Sequence, residues 1–445
     1  MATDPLTLVR WVEVHRLAVA GRQAAIARDT GARVCRVWLR TSRFAAVEAM
    51  ATATLTLGSD ASAFYHRGWA RSSTGQPRPA LEDFHRALAM YQQAGDHGNE
   101  AATLTNIGLV HAGLGDRRRA LDFYHQSLPI RREVGDRAGE AATLNNIGAV
   151  YDRLGDRQQA LDFYHQSLPI LREVGDRAGE AATLNNIGSV HAGLGDRQRA
   201  LDLYHQALPI MREVGDRTGE AATLNNIGHV HDGLGDRPQA LDLYHQALPI
   251  MREVGDRTGE AATLTNIGHV HDGLGDRRRA LDFYDQSLPI RREVGDRAGE
   301  AVTLNNIGGV HAGLGDRRRA LDFYHQALPI VREVGDRTGE AVTLSNIGLV
   351  YAGLGDRRRA LDFYHQALPI RREVGDRAGE ATTRYNIAMI HRAGGDLDQA
   401  IQELEHVVDL DRQVDHPGLE ADTAVLEQLR RQRAEDHGSE PPAGS

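Results

Sequence analysis

The 445 residues contain no lysine, a single cysteine and no uninterrupted apolar stretch long enough to span a bilayer. One cysteine, Cys35, excludes an internal disulfide framework and fits a reducing cytosol. A membrane crossing needs about 20 consecutive apolar residues, and the opening MATDPLTLVRW lacks the charged-then-apolar pattern of a leader peptide. A cytoplasmic location is therefore expected, with no membrane partner. Without lysine, all basic charge rests on arginine and histidine, which we read as a mark of GC-rich coding in a bacterial source and not of function. A net charge of −9 is modest for this length, and nothing in it singles out nucleic acid. Nucleophile elbow, phosphate loop, HExxH and CxxC arrangements are also missing. The expectation is no enzyme, no cofactor and no metal.

What the sequence does have is one unit, repeated. Gly135 to Val174 reads GDRAGEAATLNNIGAVYDRLGDRQQALDFYHQSLPILREV and recurs almost letter for letter, with copies beginning at Gly95, Gly135, Gly175, Gly215, Gly255, Gly295 and Gly335. A fixed period filled with helix formers and broken by Gly-Asp pairs is the mark of a stacked helical solenoid. Gly135 suits a left-handed residue closing one helix, and Asp136 can cap the next. A first helix is expected near Arg137 to Leu154, with Leu144, Ile147, Val150, Tyr151 and Leu154 inward and Ala142, Asn145, Asn146, Ala149, Asp152 and Arg153 on the other side. After Gly155-Asp156, a second helix buries Ala160, Leu161, Tyr164, Leu168 and Leu171. Small Gly148 and Ala160 let the two helices approach. One hairpin cannot bury its stripe alone, so stability should accumulate along the stack.

Taken in order, residues 6–28 have helical spacing with Leu8, Trp11, Val12, Leu17 and Ile26 inward, and residues 33–57 look like a degenerate helix pair. We expect residues 1–58 to form an N-terminal cap, the rival being a docking face for another domain. The array covers 59–414, about nine copies with seven regular ones from 95 to 374. The copy from Gly375 decays, with Arg384 for Leu and Ala388 for Gly. A capping helix over 415–434 and a disordered tail over 435–445 complete the reading.

The pattern Leu144-Asn145-Asn146-Ile147-Gly148, Tyr151, Leu154-Gly155-Asp156, Ala160-Leu161, Tyr164, Leu168 resembles the tetratricopeptide repeat, in the extended form found in kinesin light chains, Pins-type adaptors and bacterial signalling proteins. The resemblance implies an all-α, right-handed superhelical solenoid of helix-turn-helix hairpins. One departure is a proline inside each second helix, at Pro129, Pro169, Pro209, Pro249, Pro289, Pro329 and Pro369. It removes a helical hydrogen bond and costs about 3 kcal/mol in an unrelieved helix, so each second helix should kink or divide there.

Members of that family bind peptides or partner helices in a concave groove lined by first helices. By position, the resemblance places groove asparagines at Asn106, Asn146, Asn186, Asn226, Asn266, Asn306, Asn346 and Asn386. An amide both donates and accepts, so it can grip a peptide backbone of any sequence. With first helices ~8–10 Å apart and an extended ligand rising ~3.3 Å per residue, about every third peptide group would meet one. The competing reading is that these amides merely bond a neighbouring helix. Three residues on, the position runs Leu109, Ala149, Ser189, His229, His269, Gly309, Leu349, Met389, which could tune side-chain choice; sites taken as outer, Arg131, Leu171, Met211, Met251, Arg291, Val331 and Arg371, vary too, as drift would.

His229, Asp232, His269 and Asp272 would share the groove wall of adjacent copies, as part of a peptide site and not as metal ligands. His111, His191, His231, His271, His311 and His391 take the slot of Tyr151 and Tyr351, which marks them as packed rings. The function expected is a non-catalytic interaction scaffold with a protein or peptide partner. The alternative is a regulatory sensor related to the repeat arrays of bacterial signal-transduction ATPases and transcriptional regulators. The oligomeric state is left open.

Overall fold

The computed structural model describes residues 4–438, which form twenty-two α-helices and, among the described residues, no strand. In chain order these are α1 (Pro5–Ala20), α2 (Ala24–Arg40), α3 (Phe44–Leu55), α4 (Ala61–Ser73), α5 (Pro77–Ala94), α6 (His97–Gly113), α7 (Arg117–Glu133), α8 (Arg137–Leu154), α9 (Arg157–Val174), α10 (Arg177–Gly193) and α11 (Arg197–Val214). There follow α12 (Arg217–Gly233), α13 (Arg237–Val254), α14 (Arg257–Gly273), α15 (Arg277–Val294), α16 (Arg297–Gly313), α17 (Arg317–Glu333), α18 (Arg337–Gly353), α19 (Arg357–Glu373), α20 (Arg377–Gly394), α21 (Leu397–Gln413) and α22 (Leu419–Gly438).

The chain divides into two units, one up to Asn226 and one from Ile227. Each is a stack of hairpins. The helices of a hairpin pack together (α8 with α9, α14 with α15), and each second helix packs on the next first helix (α9 on α10, α15 on α16). Successive first helices also touch (α8 and α10, α14 and α16).

Local chemistry sets the hairpin. Gly155 closes α8 at φ 84°, and the Asp156 carboxylate accepts the Gln159 N–H at 3.1 Å, starting α9. At the crossing, a Cβ added to Gly148 would stand 2.7 Å from Cε1 of Tyr164, so the glycine is what lets the tyrosine ring lie against α8. In the decayed copy both partners change together: Ala388 packs in one cluster with Leu404, where a tyrosine would stand.

Between hairpins an arginine-glutamate stitch recurs. Glu180, 5% exposed, accepts Arg172 Nε from the preceding helix at 2.7 Å and also pairs with Arg177, which reaches forward to Glu213 at 3.1 Å. The histidine slot behaves as expected: His111 stacks on Phe123 with centroids 5.5 Å apart, as Tyr151 stacks on Phe163. Where leucine replaces that phenylalanine, at 203 and 243, His191 and His231 are half-buried and lie 3.4 Å from Asp196 and Asp236.

Several expectations are corrected. The second helices do not divide at their prolines; α9 runs through Pro169 as one helix. Pro169 and His165, whose carbonyl loses its partner, are both exposed, so the missing bond lies on the solvent side of the helix, where it costs least. Residues 6–28 are not one helix: α1 ends at Ala20 and α2 begins at Ala24, with Arg22 at φ 52° between them. A single inward phase cannot run across that turn, and Leu17 and Ile26 are 55% and 48% exposed. His15 and Ala18 are buried instead. Leu154, at the tip of its hairpin, is 50% exposed. Helix α22 begins later than residue 415 and continues to Gly438; residues 439–445 of the expected tail lie outside the described residues.

Candidate functional site

Every first helix of the regular copies carries an asparagine in its middle, and in four of them it is the second of an asparagine pair, whose members do different jobs. Asn145 Oδ1 accepts Thr183 Oγ1 at 3.1 Å and Asn186 Nδ2 at 3.4 Å from the next first helix; Asn185 accepts Thr223 at 3.1 Å and Asn226 at 3.2 Å. Asn186 and Asn226 are thus tied to the preceding repeat, and Asn106 is tied to Tyr65 Oη at 2.9 Å. All eight expected asparagines, Asn266 included, are half-buried. Among the described residues, Asn146, Asn306, Asn346 and Asn386 make no side-chain hydrogen bond within the protein.

The residue one repeat back decides which amide is tied. Behind Asn146, Asn306 and Asn386 stand Thr105, Thr265 and Ser345, whose hydroxyls turn inward to the carbonyls of Ala101, Ala261 and Ala341 at 3.0, 3.0 and 2.8 Å. Behind Asn346, Asn305 spends its Nδ2 on Thr343 at 2.9 Å, and its Oδ1 is buried without a partner.

A second position covaries with this choice. Thr105, Thr265 and Ser345 occur with Arg131, Arg291 and Arg371, whereas Asn145, Asn185 and Asn305 occur with Leu171, Met211 and Val331. These sites are not outer, as expected, but inward: Leu171, Met211 and Val331 are 3%, 3% and 2% exposed. Each arginine pairs with a helix-capping aspartate, Asp136, Asp296 or Asp376, and Arg291 Nη2 also lies 3.4 Å from Thr265 Oγ1. Two packing types therefore recur, and the threonine or serine type leaves the next asparagine free; Asn346, above Asn305, is free for the separate reason just given.

In the second unit two of the free amides, those of Asn306 and Asn346, open on a cavity of about 670 Å³, lined also by His269, Asp272, Gly309 and Leu349 among others. These are the asparagine, the third residue after it and the sixth, from three successive first helices. Gly309 keeps the floor open, since a Cβ there would meet only Tyr324 Oη at 3.8 Å. Burial, with Asp272 nearby, pushes the Tyr284 phenol well above its usual range, and burial raises Tyr324 to about 12. Both stay protonated. Beside the cavity, His269 Nε2 stands 3.7 Å from Asp232, which lies 4.0 Å from Arg237 Nε; Asp272 lies 4.0 Å from Arg277 Nε. His229 is exposed and outside this cavity. Tyr284 and Tyr324 were not anticipated as lining residues; their period marked them only as core.

Paired helices stacked through a glycine-tyrosine crossing, with a half-polar face on the first helices, define a helical-repeat solenoid. The tetratricopeptide repeat model matches residues 59–133, 100–173, 139–213, 179–253, 219–293, 299–373 and 339–413. The chain belongs to the tetratricopeptide repeat family. No curated protein matches it. Among solved structures it is similar to the apo form of the quorum sensor NprR from B. thuringiensis (TM-score 0.57, 15% identity, 76% of this chain and 99% of that one). A Rap protein complexed with competence and sporulation factor is also similar (0.57, 16%, 79% and 99%). So is a signal transduction ATPase with a tetratricopeptide repeat sensor from Pyrococcus horikoshii (0.56, 13%, 82% and 56%). The chain spans little more than half the length of that ATPase. At these identities the likeness is one of fold. No helix among the described residues is long and apolar enough to cross a membrane.

Proposed function

We propose that this chain is a non-catalytic interaction scaffold that holds a peptide or protein segment against its first-helix face, with Asn306 and Asn346 gripping the ligand backbone beside His269 and Asp272. The observation that carries this reading is the pair of half-buried amides with no partner in the protein, both opening on one cavity. A carboxamide with free donor and acceptor matches a peptide group, and the exposed variable positions, histidine, glycine and leucine, would select side chains.

Peptides selected from a random display library on the immobilised full chain provide the test. Each lost amide bond is worth about 0.5–1.5 kcal/mol, so the double change Asn306→Ala and Asn346→Ala should weaken selected peptides about 5- to 100-fold. Asn186→Ala, at a tied amide, should leave affinity alone. Equal affinity for the wild type and the double variant would exclude the grip. The alternative role, a regulatory sensor, keeps the same face and adds a consequence: peptide binding then changes hydrogen exchange in helices far from the cavity, whereas a passive scaffold gains protection only at α14, α16 and α18.

A further inference from the structure

Most buried carboxylates among the described residues come with arginines; Glu100, 9% exposed, is instead bonded by Gln92 and His97, each at 3.1 Å. Asp83, 1% exposed, is held by Arg67 at 2.7 Å and Arg71 at 2.9 Å; Glu140, Glu180, Glu220, Glu260, Glu300 and Glu340 each meet two arginines, and Glu380 meets three. Asp411 breaks this rule. It lies in the last turn of α21, is 1% exposed, has no arginine, and its Oδ2 is buried without a hydrogen-bond partner. An ionised carboxylate so placed costs several kcal/mol unless something positive reaches it.

Two further donors converge there from the turn and from α22. His416 Nδ1 stands 3.6 Å from Asp411 Oδ1, and one donor atom each of Asp411, His416 and Asp422 lies within 4.8 Å of the others. They share a cavity of about 180 Å³ whose remaining wall is Ala378, Ala381, Thr382, Tyr385 and Val407, with no basic side chain but the imidazole. We propose that Asp411, His416 and Asp422 bind a divalent transition-metal ion, Zn²⁺ being the best match.

The geometry suits that ion. Two ligands at zinc's bond length of about 2.0–2.1 Å and a tetrahedral angle lie about 3.3 Å apart, close to the 3.6 Å between Nδ1 and Oδ1. Two carboxylates neutralise the dication, and one imidazole favours a transition metal over magnesium or calcium, which prefer oxygen-only shells. His416 Nδ1 accepts the Gly418 N–H at 3.1 Å; binding exchanges that bond for coordination. The ion would clasp α21 to α22 at the C-terminal end of the array, and the fourth position would face the cavity and take water.

The test uses the full chain, stripped with a chelator and titrated with ZnCl₂ and, separately, MgCl₂. A competing chelator masks the weak background of surface histidines. The wild type should take up one tight equivalent of Zn²⁺ and none of Mg²⁺, and Co²⁺ should give the visible band of a four-coordinate site. His416→Gln, half-exposed and so safe for folding, and Asp422→Asn should each weaken Zn²⁺ about 10- to 100-fold or more with unchanged far-UV dichroism. The proposal is overturned if no tight equivalent binds, or if both variants keep wild-type affinity. It is also overturned if Asp422→Asn matches the wild type in stability without any zinc uptake, because a proton shared by the two carboxylates then fills the place of the metal.

Discussion

Replacing Gly308 by alanine places a methyl group 2.6 Å from Cε1 and 2.8 Å from Cδ1 of Tyr324. The ring is 3% exposed and belongs to the large core cluster of the second unit, while its hydroxyl end borders the cavity, so the added methyl group must displace a packed ring toward that cavity. Overpacking of this kind costs about 1–3 kcal/mol, partly offset by the better helix propensity of alanine, about 1 kcal/mol. Tyr324→Leu alone leaves a void and should cost about 2–4 kcal/mol. The double variant should recover at least about 1 kcal/mol relative to the sum, because the alanine fills space the ring has left. The protein already contains that solution, in Ala388 and Leu404, both 0% exposed. Urea unfolding followed by far-UV dichroism gives the cycle. Hydrogen exchange on peptides from α16 and α17 localises it, since a repeat array need not unfold in one step. If the two changes add to within about 0.5 kcal/mol, the coupled exchange in the decayed copy has another cause and the close-approach argument fails.

The combined change Thr265→Asn and Arg291→Met converts that repeat to the asparagine type; Asn306 should then be tied to residue 265, and peptides selected on the wild type should bind more weakly, by titration, with stability within about 1 kcal/mol. Unaltered binding would separate the packing type from the free amide. Burial, with Arg36 close by, lowers His66 from 6.5 to about 4. A histidine that binds its proton less readily when folded gives its full stability above pH 6.5 and loses it on acidification, so the chain should lose about 2 kcal/mol through this group between neutrality and pH 5; His66→Gln should remove that part of the slope in urea midpoints against pH. Burial raises the Glu180 carboxyl, but hydrogen bonds from Arg172 and Arg177 outweigh it and the net shift is downward. Its contribution is present above about pH 4.5 and lost below, and Glu180→Gln should cost about 1–3 kcal/mol, at the low end because both arginines are half-exposed and can turn to water; a neutral effect in denaturant titrations would show that the stitch adds no net stability.

Periodicity made the hairpin legible because each letter in it answers a local question. Gly155 and Asp156 end one helix and start the next by backbone geometry alone, and Leu144, Ile147 and Tyr164 repeat with the helical turn. The N-terminal helices were less legible, since α1 and α2 have no copies to average over and the break at Gly21 resets the inward phase, leaving Leu17 and Ile26 exposed. Prolines misled for a related reason: the cost of a missing hydrogen bond depends on which side of the helix it faces, and that is a tertiary fact.

The candidate site divides along the same line. Asparagine at a fixed place is visible in sequence, but whether its amide is free depends on a residue 41 positions earlier, and that residue depends in turn on one in the following second helix. Thr265 is small enough to leave room for Arg291, and its hydroxyl turns to Ala261 O, so Asn306 has nothing behind it to bond. Asn185, with Met211, holds Asn226 in place. Read singly, Arg131, Arg291 and Arg371 look like surface drift; read against Thr105, Thr265 and Ser345, they mark the repeats after which the next asparagine has no partner within the protein. The consequence is that binding strength along this face should follow which amides are tied beneath it more closely than the count of asparagines, with Asn306 and Asn386, above Thr265 and Ser345, and Asn346, above an Asn305 turned to Thr343, active where Asn186 is silent.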